Sequence, residues 1–165
     1  MHAIILCPGE SLRTLVRLPD CDLSIGVNRA AMAFAVDWFA ASDYPMVRNH
    51  LDVLAGNPSL LTLRQTAFDL RNRLSRFPKV RIAEDLTMPS GLKYPKTMML
   101  AALLAVALGA TAIDVYGADW AGTRDYDGAE AGENRSDQRW AAERMAWQAV
   151  MVPWFKSHCV TARRV

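Results

Sequence analysis

The sequence predicts an α/β fold, a three-layer sandwich in which helices cover both faces of a mostly parallel sheet. Short, continuous apolar segments alternate with helical segments along the chain, and such segments are typical of strands that a parallel sheet buries on both faces. The chain has 165 residues, of which 52% are hydrophobic and 22% are charged, and this composition suits one hydrophobic core. We therefore expect a single domain over residues 1–165.

The strands before residue 90 are predicted from apolar runs bounded by turn-forming or polar residues. Two helices are predicted among them, YPMVRNHLDVLA with Pro45 in its first turn and RQTAFDLRNRLSRF, whose apolar residues recur every three or four positions. A further short helix is expected near Ser11. The strand-like segments are AIILC (3–7), LSIGVN (23–28), DWFAASD (37–43), SLLTL (59–63) and KVRIAE (79–84).

A long apolar stretch runs from Thr97 to Ile113 and holds 17 uncharged residues. A membrane-spanning helix needs roughly 20 such residues. Gly109 and the β-branched residues after it divide the stretch into a helix that ends at Gly109 and a buried strand. Ser90 could cap this helix, with Pro95 in its early turn. We therefore expect no transmembrane segment.

The rest of the chain is predicted to hold a polar loop over residues 121–135, a helix and a last strand. Ser136 is a typical N-cap for the helix DQRWAAERMAWQAVMVPWF, and the tail HCVTARRV is strand-like. Trp140, Trp147 and Trp154 recur every seven residues, which indicates packing in the core or a contact between copies. A homo-oligomer is therefore one interpretation of this helix.

Charge, cysteine content and the N-terminal residues predict which partners the protein binds and which cellular compartment it occupies. The net charge is +2 and the basic residues are scattered, so we expect no nucleic-acid partner. Three cysteines without a CxxC pair predict neither a zinc site nor a disulfide framework. This cysteine usage favours a reducing compartment, so we expect a cytoplasmic location. Because no basic region precedes the short N-terminal apolar run, we expect no signal peptide.

Ligands of open parallel sheets bind beyond the carboxyl ends of the strands, and this rule selects the candidate binding residues. Glycine there allows close approach of a ligand, and a helix N-terminus offers N–H groups to an anion. The alternative to ligand binding is a purely structural role, in which the glycines form turns and the serines cap helices. The candidates are Gly9 and Ser11 in CPGES, Asn28, Ser42, Ser90 and Gly91 in PSG, and Asp119 in GADW.

Asp119 and the loop after it are the candidates for chemistry. Asp119 could bind a sugar hydroxyl or a divalent cation, or it could simply form a turn. The loop supplies Arg124 and Arg135 for phosphate pairing, and its glycines suggest a lid, although a solvated loop is the alternative. The three histidines, His2, His50 and His158, lie away from the predicted strand ends and are interpreted as structural.

Taken in order, four segments resemble the bacterial sialyltransferases that modify lipooligosaccharide. They are ILCPGESL, IGVNRA, PSG and AVALGATAIDVYGADW. The archaeal-type 6-hydroxymethylpterin pyrophosphokinases and their bacterial and phage relatives carry a similar signature. The resemblance covers about residues 3–120 and is strongest over 90–120. It implies a Rossmann-like fold that binds a nucleotide, which in the sialyltransferases is a CMP-sugar.

The resemblance also implies roles for individual residues. Gly9 and Ser11 would lie near the phosphate, Asn28 would contact the nucleotide or the donor sugar, Ser90 and Gly91 would line the cytidine-phosphate pocket, and Asp119 would lie at the ribose or sugar. The chain departs from the sialyltransferase pattern, because no histidine lies between Trp120 and Phe155 to act as the general base. Asp119 and Glu133 are then the candidate acid and base, with Tyr126 and Arg135 at the departing phosphate.

Three functional hypotheses follow. The first is a nucleotide-binding transferase of glycosyltransferase type, which uses a nucleotide-sugar donor as substrate and requires no cofactor. The second is a pyrophosphokinase that depends on Mg²⁺, with Asp119 and acidic loop residues holding the metal. The third is a relative that binds a nucleotide without catalysis.

Overall fold

The structure is a computed structural model that describes residues 1–122, 124–128 and 136–165. Its seven strands form one sheet in the order β5-β4-β3-β2-β1-β6-β7, and every pairing is parallel. Helices cover both faces of the sheet, which confirms the predicted α/β three-layer fold. The strands are β1 His2–Leu6, β2 Leu23–Val27, β3 Trp38–Ala40, β4 Ser59–Thr62, β5 Val80–Ile82, β6 Ala112–Tyr116 and β7 Thr161–Arg164.

The direction in which strands are added reverses at β1. From β1 to β5 each new strand is added on one side, whereas β6 and β7 are added on the other. In register, Ala3 of β1 pairs with Leu23 of β2 on one side and with Ile113 of β6 on the other. The carboxyl ends of β1 and β6 therefore form the switch point at which open α/β sheets bind ligands.

Within the described part of the chain, five α-helices connect or follow the strands. A π-helical segment, Trp147–Met151, joins the last two, and four short 3₁₀ turns lie at Glu10–Thr14, Asn28–Met32, Leu74–Arg76 and Ala83–Asp85. The helices are α1 Tyr44–His50, α2 Arg64–Asp69, α3 Thr97–Ala107, α4 Asp137–Ala146 and α5 Val152–Ser157.

Three predicted helix boundaries were wrong. The helix predicted over residues 44–55 ends at His50. Ser90 does not cap α3, because the helix begins only at Thr97, after Pro95. Pro95 disfavours helical backbone at the residue before it, so the helix cannot extend back to Ser90. The helix predicted over residues 64–77 ends at Asp69, and the chain turns before the 3₁₀ segment Leu74–Arg76.

Side chains from alternate positions of each strand fill two cores, one on each face of the sheet. Ala3 and Ile5 of β1 face the core under α3 and the C-terminal helices, whereas Ile4 and Leu6 face the core under α1 and the 3₁₀ turns Glu10–Thr14 and Asn28–Met32. Helix α3 is buried at every position from Met98 to Ala105, and this explains its uniformly apolar sequence. Among the helices of the described residues, none is long and apolar enough to cross a membrane.

Helix α3 ends at the predicted glycine. Gly109 has φ +97 and donates its N–H to the Val106 carbonyl, while Ala110 donates to the Ala105 carbonyl. This pair of bonds is the Schellman arrangement, in which a residue in the left-handed conformation reverses the chain. The reversal carries the chain directly into β6.

Candidate functional site

A cavity of about 100 Å³ lies at the carboxyl ends of β1 and β6, at the switch point of the sheet. Pockets that enclose a whole small molecule usually measure roughly 300–1,000 Å³. This cavity can therefore enclose one part of a ligand, with the remainder at its open mouth. Its walls include Gly9, Asn28, Lys96, Thr97, Gly117, Asp119, Trp120, Arg139, Trp140 and Glu143.

Gly9 brings the end of β1 against the end of β6. Its N–H donates to the Gly117 carbonyl at 2.9 Å. A Cβ built on Gly9 would lie 2.7 Å from Oδ2 of Asp119 and still closer to the Gly117 oxygen. Gly9 is therefore required for packing between two strand ends, and this close approach places Asp119 at the cavity.

Asp119 is held by Ser11. The Ser11 backbone N–H donates to Oδ2 of Asp119 at 2.8 Å, and the Ser11 hydroxyl donates to Oδ1. The carboxylate thus occupies the start of the 3₁₀ turn Glu10–Thr14, the place at which the sequence predicted a phosphate. An anion at Ser11 would have to displace this carboxylate, so Ser11 positions Asp119, while Asp119 itself lines the cavity.

Asn28 combines two unfavourable features at the cavity wall. Its backbone has φ +50, a left-handed conformation that Asn tolerates better than most residues. Its Oδ1 atom is buried and has no hydrogen-bond partner among the described residues. A buried acceptor left unpaired costs on the order of 1–3 kcal/mol. Strained or unsatisfied residues of this kind are enriched at functional sites, and Asn28 lies in the wall of the cavity.

The N-terminus of α3 faces the same cavity through Lys96, Thr97 and Met98. The first N–H groups of a helix have no partner inside the helix, and no described side chain caps them here. The Thr97 hydroxyl instead lies 2.6 Å from the Ser42 hydroxyl at the end of β3. Helix N–H groups beside a lysine form a favourable environment for an anion.

Helix α4 completes the wall with Arg139, Trp140 and Glu143. Ser136 caps this helix as predicted, accepting the Arg139 N–H at 3.2 Å. Nε of Arg139 lies 3.1 Å from Oε1 of Glu143, whose side chain is only 9% exposed. Neither residue could be recognised from the sequence, because an i, i+4 pair of opposite charge resembles an ordinary surface pair. The one sequence feature that indicated contacts on this face of the helix was the seven-residue spacing of the tryptophans.

Trp120 and Cys7 form apolar parts of the wall. Trp120 has φ +47, and the guanidinium of Arg164 lies 5.2 Å from its ring centroid. Burial, and then the negative charges of Glu143 and Asp119, raise the pKa of the Cys7 thiol. Cys7 is therefore a neutral thiol at pH 7 and not a thiolate nucleophile.

Tyr126 lies outside the cavity and anchors the loop to the other face of the sheet. Its hydroxyl donates to the Arg29 carbonyl at 3.1 Å, and its N–H donates to the Pro8 carbonyl at 2.9 Å. Arg29 is paired with Asp125 and Asp127 of the same loop. Burial, and then the charge of Asp127, raise the pKa of Tyr126. Its phenol therefore stays protonated, and its bonds are structural.

The other predicted residues are dispersed. Ser90 and Gly91 are exposed and do not line the cavity, and Arg124 is exposed. Glu133 and Arg135 lie outside the described residues. Each histidine has a local contact: His2 with Asp114, His50 with the Met46 carbonyl, and His158 with the Trp154 ring.

Comparisons with protein-family models, with curated proteins and with solved structures find no match to this chain. The resemblance to sialyltransferases and pterin pyrophosphokinases therefore stays a prediction from the motifs.

Proposed function

We propose that this protein is a nucleotide-binding transferase, of glycosyltransferase type, that binds a nucleotide-sugar donor at the switch-point cavity. The observation that carries the proposal is the pairing of Lys96 with the uncapped N-terminus of α3 at the cavity wall. Both favour an anion, and a phosphate there would receive backbone N–H groups as well as a lysine. Arg139 adds a second cation on the opposite helix.

Glycosyl transfer needs few groups beyond those at the cavity. The acceptor oxygen bonds to the anomeric carbon, the bond from that carbon to the phosphate oxygen breaks, and the leaving nucleotide keeps the electron pair. Cations near the leaving phosphate stabilise its developing charge. The acceptor proton passes to a carboxylate, and Asp119 and Glu143 are the described carboxylates in the cavity wall.

The proposal is tested by titration calorimetry and thermal unfolding with CMP, UMP, a CMP-sugar and ATP, each with and without Mg²⁺. We expect binding of at least one of these compounds, and a ligand at 100 times its Kd adds about 2.7 kcal/mol to the free energy of unfolding. Binding that requires Mg²⁺ would indicate pyrophosphoryl transfer instead. Binding without turnover of any donor would indicate a non-catalytic protein.

The matched variants are Lys96→Met and Lys93→Met. Both remove one positive charge and keep an apolar stem, but Lys93 is exposed and does not line the cavity. Loss of a charged hydrogen bond to phosphate costs about 1.5 kcal/mol, so Lys96→Met should weaken binding roughly 10-fold. Lys93→Met should leave the Kd unchanged. Equal Kd values for the two variants would contradict a phosphate at the α3 N-terminus.

A further inference from the structure

We infer that Glu143 is the general base of the proposed transfer, the group that takes the proton from the acceptor oxygen, and that Asp119 does not have this role. The inference rests on the proposed function, because it assigns one step of that reaction to one side chain. A general base must offer an oxygen within hydrogen-bond reach of the proton that it takes. Both carboxylates lie in the cavity wall, but they differ in what their oxygens already bind.

The oxygens of Asp119 are both engaged by Ser11. The Ser11 N–H donates to Oδ2 at 2.8 Å, and the Ser11 hydroxyl donates to Oδ1. An acceptor hydroxyl would have to share an oxygen that already accepts a hydrogen bond, and a proton taken up there would oppose the Ser11 donor. Asp119 is therefore a fixed acceptor in the wall, suited to orient a ligand but not to take its proton.

Glu143 has one oxygen oriented by the protein and one that a ligand can reach. Within α4 it is the one residue that is buried, and burial of a carboxylate is costly unless the charge is paired. Nε of Arg139 donates to Oε1 at 3.1 Å and so fixes the direction of the carboxylate. Oε2 accepts no hydrogen bond from a described residue, yet it is not fully buried, and the side chain lines the cavity. Glu143 therefore meets the geometric requirement that Asp119 does not.

The position of Glu143 also suits the step. It lies one helical turn from Arg139, a spacing of about 5–6 Å between Cβ atoms, so it is beside the cationic region and not within it. Burial, and then the charge of Glu143 ahead of that of Asp119, raise the pKa of the Cys7 thiol, so the Glu143 carboxylate is close to the end of β1. With water as the acceptor, the water oxygen bonds to the anomeric carbon and the bond from that carbon to the phosphate oxygen breaks. The nucleotide leaves with the electron pair, and the water proton passes to Oε2 of Glu143.

The experiment measures the release of nucleotide from CMP-sialic acid and from UDP-glucose in water, after subtraction of the spontaneous rate, and the Kd of CMP and UDP by titration calorimetry. The variants are Glu143→Gln, Glu143→Asp, Asp119→Asn and Glu10→Gln. Glutamine keeps an oxygen for Arg139 but cannot take up the proton. Glu10 is the matched control, because it also pairs with an arginine, Arg13 at 3.3 Å, but is exposed and does not line the cavity. Thermal unfolding verifies that each variant is folded.

We expect Glu143→Gln to lower kcat by roughly 100-fold or more, the contribution of a general base, while the Kd of the nucleotide stays within roughly 3-fold of the wild-type value. Glu143→Asp keeps a carboxylate at a shorter reach, so it should recover roughly 10-fold of the lost rate. Asp119→Asn should lower kcat less than Glu143→Gln does. Glu10→Gln should keep the wild-type kcat and Kd.

Three results would overturn the inference. One is a kcat of Glu143→Gln close to that of an active wild type. Another is a larger loss of kcat in Asp119→Asn than in Glu143→Gln, which would make Asp119 the base. The last is a loss in Glu143→Gln that appears equally in Kd and is not recovered in Glu143→Asp, as a structural residue would give. If wild type binds no nucleotide or releases none from either donor, the proposed function itself fails, and that outcome is distinct from the other three.

Discussion

Replacing Gly9 by alanine is expected to lower the free energy of unfolding by about 3 kcal/mol, the upper part of the range for overpacked sites. Gly9 has φ −66 and ψ 162, values that alanine adopts without strain, so the cost is steric alone. The added Cβ would lie 2.7 Å from Oδ2 of Asp119 and closer still to the Gly117 carbonyl oxygen. That carbonyl accepts the Gly9 N–H, so it cannot retreat without breaking a bond between the strand ends.

The assay is thermal and urea unfolding of Gly9→Ala beside Gly91→Ala. For a chain of this size, 3 kcal/mol corresponds to a fall in Tm of about 6–12 °C. Gly91 has φ +92, and a Cβ built on it meets no atom within 4 Å, so its alanine variant carries only backbone strain of about 1–2 kcal/mol. A loss in Gly9→Ala no greater than that in Gly91→Ala would refute the close approach of β1 and β6.

Three further predictions concern other contacts. Ser11→Ala should lower the free energy of unfolding by about 1 kcal/mol, because it removes the hydrogen bond from the Ser11 hydroxyl to Asp119 but keeps the one from the Ser11 backbone N–H. An unchanged midpoint of urea unfolding would contradict this expectation. The hydrogen bond and charge of Arg163 hold the pKa of Asp114 below its usual value. The ionised Asp114 carboxylate therefore stabilises the folded protein fully above about pH 4, and this contribution is lost as pH falls through the lowered pKa. The stability difference between wild type and Asp114→Asn should therefore shrink in acid, and a difference that stays constant down to pH 2 would argue against the ion pair. Trp147→Ala should lower the free energy of unfolding by about 3–5 kcal/mol because Trp147 is buried against Phe155, whereas Trp154→Ala should lower it less because Trp154 is only partly buried. Equal losses in calorimetric unfolding would contradict this difference in burial.

The strands could be predicted because a parallel sheet buries both faces of its strands. Segments such as AIILC and LSIGVN are then mostly apolar runs, and they coincide with β1 and β2 to within a residue. The order of the strands was not predicted. It depends on where α3 leads the chain after β5, and no local pattern encodes that placement.

The cavity was predicted only in part. Gly9, Asn28 and Asp119 were found because they directly follow strand ends, and the structure brings all three to one cavity. Lys96 was missed because the start of α3 was placed at Ser90, before Pro95. Glu143 was missed because a charged residue within a helix gives no sign in sequence that its side chain is buried.

Helix α3 leaves β5 at one edge of the sheet and crosses over β3, β2 and β1 before the chain enters β6 on the far side. Strands β1 to β5 and strands β6 and β7 are therefore joined by one helix, α3, whose residues from Met98 to Ala105 are all buried. The residues of α3 belong to the same hydrophobic core as residues of β1, β2, β3 and β6. We expect the chain to melt as one cooperative unit, and its slowest amide exchange to lie in this crossover, since opening it would expose both halves at once.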